Sequence, residues 1–152
     1  MMRRLRAPAL GLALLVGAAG GAPAQTPPGV PPDTRERLVV PPPARTKILY
    51  EMRGMLEALE GVLAALARGD RAAAAGAARA AGVAHAVDAQ PQMQRLLPAS
   101  FVEAGLEAHR AFDALALVLA GPGDDRAALG EVAALAGRCV ACHAIYRLDE
   151  AR

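Results

Sequence analysis

Apolar residues recur through Ile48, Met52, Met55, Leu59, Val62 and Leu66 at alternating steps of four and three. That spacing places them on one stripe of a helix, and such a stripe has to be buried against other helices. Composition argues the same way: 54% of residues are hydrophobic, yet only 3% are aromatic and there is no Trp. A core of Ala, Leu and Val favours helices over a pleated sheet, which is better served by β-branched and aromatic residues. The expected fold class is all-α, an antiparallel four-helix bundle in up-down-up-down order.

The first helix is expected over residues 46–68, closed by Gly69. A second should run over 71–90, with Asp70 as N-cap, Gly76 and Gly82 as weak points and Pro91 as its end. Beyond Leu96-Leu97-Pro98, Ser100 and Glu103 have the spacing of a capping box. They open a third helix through Phe101, Val102, Leu106, Phe112, Leu115 and Leu119. Gly121-Pro122-Gly123 stops it. Asp124 or Asp125 then caps a fourth, with Leu129, Val132, Ala136, Cys139, His143 and Tyr146 as its inward stripe.

Ahead of these helices, Arg3, Arg4 and Arg6 precede an apolar run from Ala9 to Ala19 and the small residues Ala22-Pro23-Ala24. The pattern is that of an export signal over residues 1–24, cleaved before Gln25. The run is shorter than the roughly 20 residues that cross a bilayer, so no stable membrane insertion is expected after cleavage. Residues 25–45 contain Pro27, Pro28, Pro31, Pro32, Pro41, Pro42 and Pro43, which predicts an extended or polyproline-like tether. The folded domain is then 46–152.

Without the signal the charge changes sign. The whole chain carries 17 basic and 15 acidic residues, a formal +2; losing three arginines leaves 14 against 15, a balance of −1. Lys47 is the only Lys, and no segment interleaves Arg with aromatics, so nucleic acid is not an expected partner.

Two cysteines in an exported chain would ordinarily form a disulfide. Here they stand in Cys139-Val140-Ala141-Cys142-His143, a C-x-x-C-H string. Covalent haem attachment requires that order: the two thiols add to the vinyl groups on one edge of the porphyrin, and the next imidazole donates a lone pair to iron. Helical spacings of three and four direct all three groups towards one face. A thioredoxin-like redox pair belongs at a strand-to-helix junction, and this chain shows no alternating strands. Structural zinc needs four ligands, and neither His85 nor His109 is spaced to complete a set. One haem c is the expected cofactor, bound covalently by Cys139 and Cys142 with His143 on its iron.

Extended through Ala144-Ile145-Tyr146-Arg147, the string resembles the C-x-x-C-H-x-x-[FY]-R ending of class II c-type cytochromes, the cytochrome c′ and cytochrome c-556 proteins. In that family the motif lies near the end of the fourth helix. Ala64-Ala65-Leu66-Ala67-Arg68-Gly69-Asp70 is similar to the close of the family's first helix, and Leu96-Leu97-Pro98 to its loop after the second. The short connection between helices two and three and the missing Trp depart from the pattern. The resemblance implies that Arg147 lies near the proximal His, on the same helical face one turn on; a solvated charge at the helix end is the alternative. Tyr146 is expected to pack beside the porphyrin. A homodimer through the first two helices is also compatible with the family.

Function divides on the sixth iron position. The cytochrome c′ branch leaves it open beneath an apolar side chain, here Leu56 or Leu59. The c-556-like branch fills it with a helix-one Met, for which Met52 is the first choice and Met55 the reserve. A thioether is a soft ligand that raises the reduction potential, although Met at helical spacing also serves as core filler. His109 and His85 are read as packing or partly exposed groups. The expected function is a periplasmic one-electron carrier serving redox partner proteins; a protein binding nitric oxide or carbon monoxide is the alternative. An enzyme is not expected, because no carboxylate, Ser or second His joins the motif in a catalytic constellation.

Overall fold

Five α-helices and two short strands make up the computed structural model, which describes residues 29, 31–87 and 90–151. The expected export signal and its cleavage site lie outside the described residues. From Thr34 onward the chain forms one compact unit. It is mostly helical, in agreement with the all-α expectation, with a two-stranded parallel sheet added to it.

The sheet is the first departure. Glu36–Val40 forms β1 and Tyr146–Glu150 forms β2, paired in parallel with Glu36 opposite Tyr146 and Leu38 opposite Leu148. The lead that reads as a tether is therefore docked from Glu36 onward. Alternation along β1 explains why: Leu38 and Val40 are buried on one side while their neighbours face solvent. Arg37 and Asp149 form an ion pair across the two strands, and the Ala151 N–H extends the pairing to the Val40 carbonyl.

The first helix, α1, spans Pro42–Ala67, so it starts four residues earlier than expected. Pro42 and Pro43 fall in the first turn, where backbone N–H groups have no helical acceptor and a fixed φ suits the helix. Its other end follows the sequence. Gly69 adopts φ +70, its N–H bonds Leu66 O and the Asp70 N–H reaches back to Ala65 O, which is a complete Schellman motif. Asp70 then caps α2, accepting from Ala73 N at 2.9 Å.

Helix α2 covers only Arg71–Arg79, where a helix to residue 90 was expected. A single 3-10 turn, Val83–His85, follows. Gly82 shows the cause: a Cβ there would lie 1.9 Å from Asp113 Oδ1, and Asp113 Oδ2 accepts from Val83 N at 3.0 Å. The chain is thus pressed against the helix that carries Asp113 and leaves helical geometry to meet its carboxylate. Pro91 starts a short helix, α3 (Pro91–Gln94), where it was expected only to end one.

The next helix, α4, spans Ala99–Ala120 with Pro98 at its N-cap and no side-chain cap. The expected Ser100 box does not form: Ser100 Oγ accepts from Tyr146 OH at 2.8 Å, and Glu103 pairs with Arg110. Asp124 caps the last helix, α5 (Asp125–Ile145), accepting from Ala127 N at 2.7 Å. The buried seam of α5 is Ala128, Val132 and Leu135, continued by the half-buried Cys139 and Cys142; Leu129 is exposed. The expected stripe is therefore rotated by about one residue at three of its positions. By length and composition α5 could cross a membrane, alone among the described helices.

Helix α2 packs along both α1 and α4, and α5 packs on α4. Small residues allow the first contact, since a Cβ on Gly61 of α1 would meet Ala77 of α2 at 3.2 Å. Two apolar clusters result. One joins the far halves of the long helices through Val62, Ala74, Phe112, Leu119 and Leu135. The other joins β1, the start of α1, Met93, Phe101 and Tyr146.

Candidate cofactor site

Met55 and Leu59 border the first apolar cluster, and Met52, Leu106 and Cys142 border the second. Several of these residues also line a cavity of about 370 Å³. From α1 it is lined by Ile48, Met52, Met55 and Leu59, and from α5 by Ala136, Cys139, Cys142 and His143. From α4 it is lined by Phe101, His109 and Phe112 and by the small residues Ala104, Gly105 and Ala108, which leave room between the helices. A concave apolar site with a few chemically active groups is what a small molecule or prosthetic group requires.

Cys139, Cys142 and His143 thus come together as the motif spacing implies. Both cysteines are free and half-buried, and the Cys139 thiol lies 3.8 Å from the Leu135 carbonyl one turn back. Burial pushes both thiols above their ordinary value of 9.0, and the neighbouring Cys139 adds to the effect at Cys142. His143 is exposed, and its backbone carbonyl accepts from Arg35 at 3.3 Å.

Met52 and Met55 both line the cavity from the helix opposite the motif, as do Leu56 and Leu59. They differ in surroundings. Met52 packs, like Cys142, against the cluster that contains Phe101 and Tyr146, whereas Met55 packs against the other. Met52 also lines a neighbouring cavity of about 300 Å³, together with Cys142 and His143.

Arg147 reaches this second cavity by a different route from the expected one. Helix α5 ends at Ile145, so Arg147 lies in β2 rather than one helical turn past His143, and strand pairing brings it back. Tyr146 is buried, meets Phe101 edge-on at 5.4 Å and 88°, and lines only the smaller of these two cavities. Its interplay with Phe101 and Ser100, rather than a place beside the larger cavity, explains its burial.

His109 is 1% exposed and committed at both ring nitrogens: Nδ1 lies 2.7 Å from Ala81 O and Nε2 lies 3.1 Å from Glu51 Oε1. That occupancy agrees with reading it as a packing histidine. His85 is exposed on the 3-10 turn. Among the described residues, no three His, Cys, Asp or Glu side chains converge as a metal-chelating set.

Arg45 was hidden from sequence reasoning by the prolines around it. It lines the smaller cavity with Cys142 and His143, and its buried Nε has no hydrogen-bond partner among the described residues. A buried guanidinium N–H without an acceptor is costly. The porphyrin of a haem carries two carboxylates that would supply one, so the residues present suit that group: apolar walls, two thiols, an imidazole and a cation. Glu51 was also missed. On the stripe pattern it reads as a solvent-facing charge, and only the inward phase of His109 hinted that a partner lay opposite.

Comparisons with protein-family models, curated proteins and solved structures found no match for this chain.

Proposed function

We propose that this chain is an exported single-haem c-type cytochrome of the class II four-helix kind, carrying one electron at a time between partner proteins in the periplasm. The convergence of Cys139, Cys142, His143 and Met52 on one apolar cavity carries this reading. In it α1, α2, α4 and α5 are the four helices of the bundle, with α2 cut short. Cys139 and Cys142 would hold the haem through thioethers and His143 would ligate its iron, with Met52 on the other side and Arg45 beside the carboxylates. The bound haem supplies a one-electron couple.

The protein's own groups explain the remainder. Apolar walls from Ile48, Leu59 and Phe101 would lower the polarity around a bound centre, which favours its less charged state. An imidazole from α5 and a thioether from α1 would limit rearrangement at a bound iron. Near-neutral mature charge suits weak, transient docking of redox partners.

One observation favours a second reading, a site open to nitric oxide or carbon monoxide. Leu56 and Leu59 line the same wall as the two methionines, and Leu56 is 66% exposed. The test for both is the chain exported and matured in a host that attaches haem c. A mass greater by one haem under denaturing conditions, with a low-spin reduced spectrum insensitive to carbon monoxide, is expected for the electron carrier. Rapid carbon monoxide binding selects the gas-binding reading, and a colourless chain at apoprotein mass defeats both.

A further inference from the structure

The two walls that bear Met52 and His143 make no extensive backbone contact with each other; α1 is packed on α2, and α5 on α4. At the level of the motif, apolar packing of Ile48 and Met52 with Phe101, Tyr146 and Cys142 holds α1 on one side. A polar contact adds a second hold. Beside Met52, Glu51 turns away from solvent, with its side chain 10% exposed, and Oε1 accepts from the Val87 backbone N–H and meets His109 Nε2 at 3.1 Å. The other ring nitrogen of His109 donates to Ala81 O at 2.7 Å.

We infer that Glu51 and His109 are positioning residues for the iron site: the carboxylate–imidazole pair pins α1 to α4 and to the segment between α2 and α3, and so sets the phase and distance at which Met52 meets the cavity. A carbonyl oxygen only accepts, so His109 Nδ1 carries the hydrogen of its bond to Ala81 O. The contacts thus tie α1 to α4 and to the backbone at Ala81 and Val87. Both residues also line the cavity itself, so a shift at the pair is transmitted to its wall without an intermediary. The inference rests on the haem-binding reading for its consequence, but not for its geometry.

Glu51→Gln tests it, since the amide oxygen can take the place of Oε1, accepting from the Val87 N–H and from the imidazolium form of His109. Glu51→Ala removes both, and His109→Phe keeps the ring volume while removing both of its bonds. In the haem-loaded full chain, Glu51→Ala and His109→Phe are expected to bind carbon monoxide at least ten-fold faster than wild type and to gain high-spin character, while Glu51→Gln stays within two-fold. Equal rates and spin state in wild type and Glu51→Ala overturn the inference, as does failure of Glu51→Gln to rescue. Absence of covalent haem in the wild type counts against the proposed function instead. The positioning role is then read in the haem-free full chain from alkylation of Cys139 and Cys142, expected to be ten-fold faster in Glu51→Ala and unchanged in Glu51→Gln. Equal alkylation rates overturn it by this route too.

Discussion

Met52 and Met55 are three residues apart on one inward stripe, and helical phase makes Met52 the first choice and Met55 the reserve. Their neighbours separate them, because Met52 borders, like Cys142, the cluster containing Phe101 and Tyr146. If Met52 is the sixth ligand, Met52→Ala converts a low-spin absorption spectrum to high-spin and opens the iron to carbon monoxide, whereas Met55→Ala leaves the spectrum unchanged. The cysteines make a second prediction. Both thiols are raised above 9.0 in the folded state, so the fold holds protons there that the unfolded chain releases. Stability contributed in this way is fully present below pH 9 and is lost as pH rises beyond it. Thermal midpoints of the haem-free chain should fall more steeply above pH 9 than those of the Cys139→Ser/Cys142→Ser variant, and thioether formation should abolish the difference.

At the scale of elements, local chemistry governed the ends that the backbone can satisfy by itself. Gly69, Asp70 and Asp124 occupy the turn and cap positions that their residue types specify. Replacing Asp70 by Ala should cost about 1 kcal/mol, measured by denaturant unfolding, as a lost N-cap does. Ends decided by a distant partner were not legible in the same way. Nothing near Gly82 announces Asp113, 31 positions on, yet their approach ends the second helix. Gly82→Ala should displace that carboxylate from Val83 N–H and destabilise the fold by about 1–3 kcal/mol, and Asp113→Ala should remove much of the penalty in a double-mutant cycle. Ser100 makes the same point, because its hydroxyl meets Tyr146 rather than its own helix terminus.

Across the unit from Thr34 onward, strands β1 and β2 bring its two ends together. Strand β1 seals the side of the site from which α5 emerges, with Leu38 4% and Val40 1% exposed. Arg71 performs a comparable service at the far end, bonding Asp125 at 2.8 Å and Val118 O at 3.0 Å so that the starts of α2 and α5 share one anchor with the end of α4. Truncating Leu38 to Ala should cost about 2–4 kcal/mol in denaturant unfolding. The same change should speed alkylation of the half-buried Cys142, which shares a cavity lining with Leu38.

Periodicity and composition alone determined that the chain is helical, where its long helices lie to within a few residues, and that Cys139, Cys142 and His143 can act on one group. Those properties depend on residues within one or two turns of each other, and spacing encodes them. The strand in the proline-rich lead, the shortened second helix, the route by which Arg147 reaches the site and the Glu51–His109 pair were decided only by the tertiary structure. Each depends on partners tens of residues away, where a side chain's fate is set by what packs opposite it rather than by its neighbours in the chain.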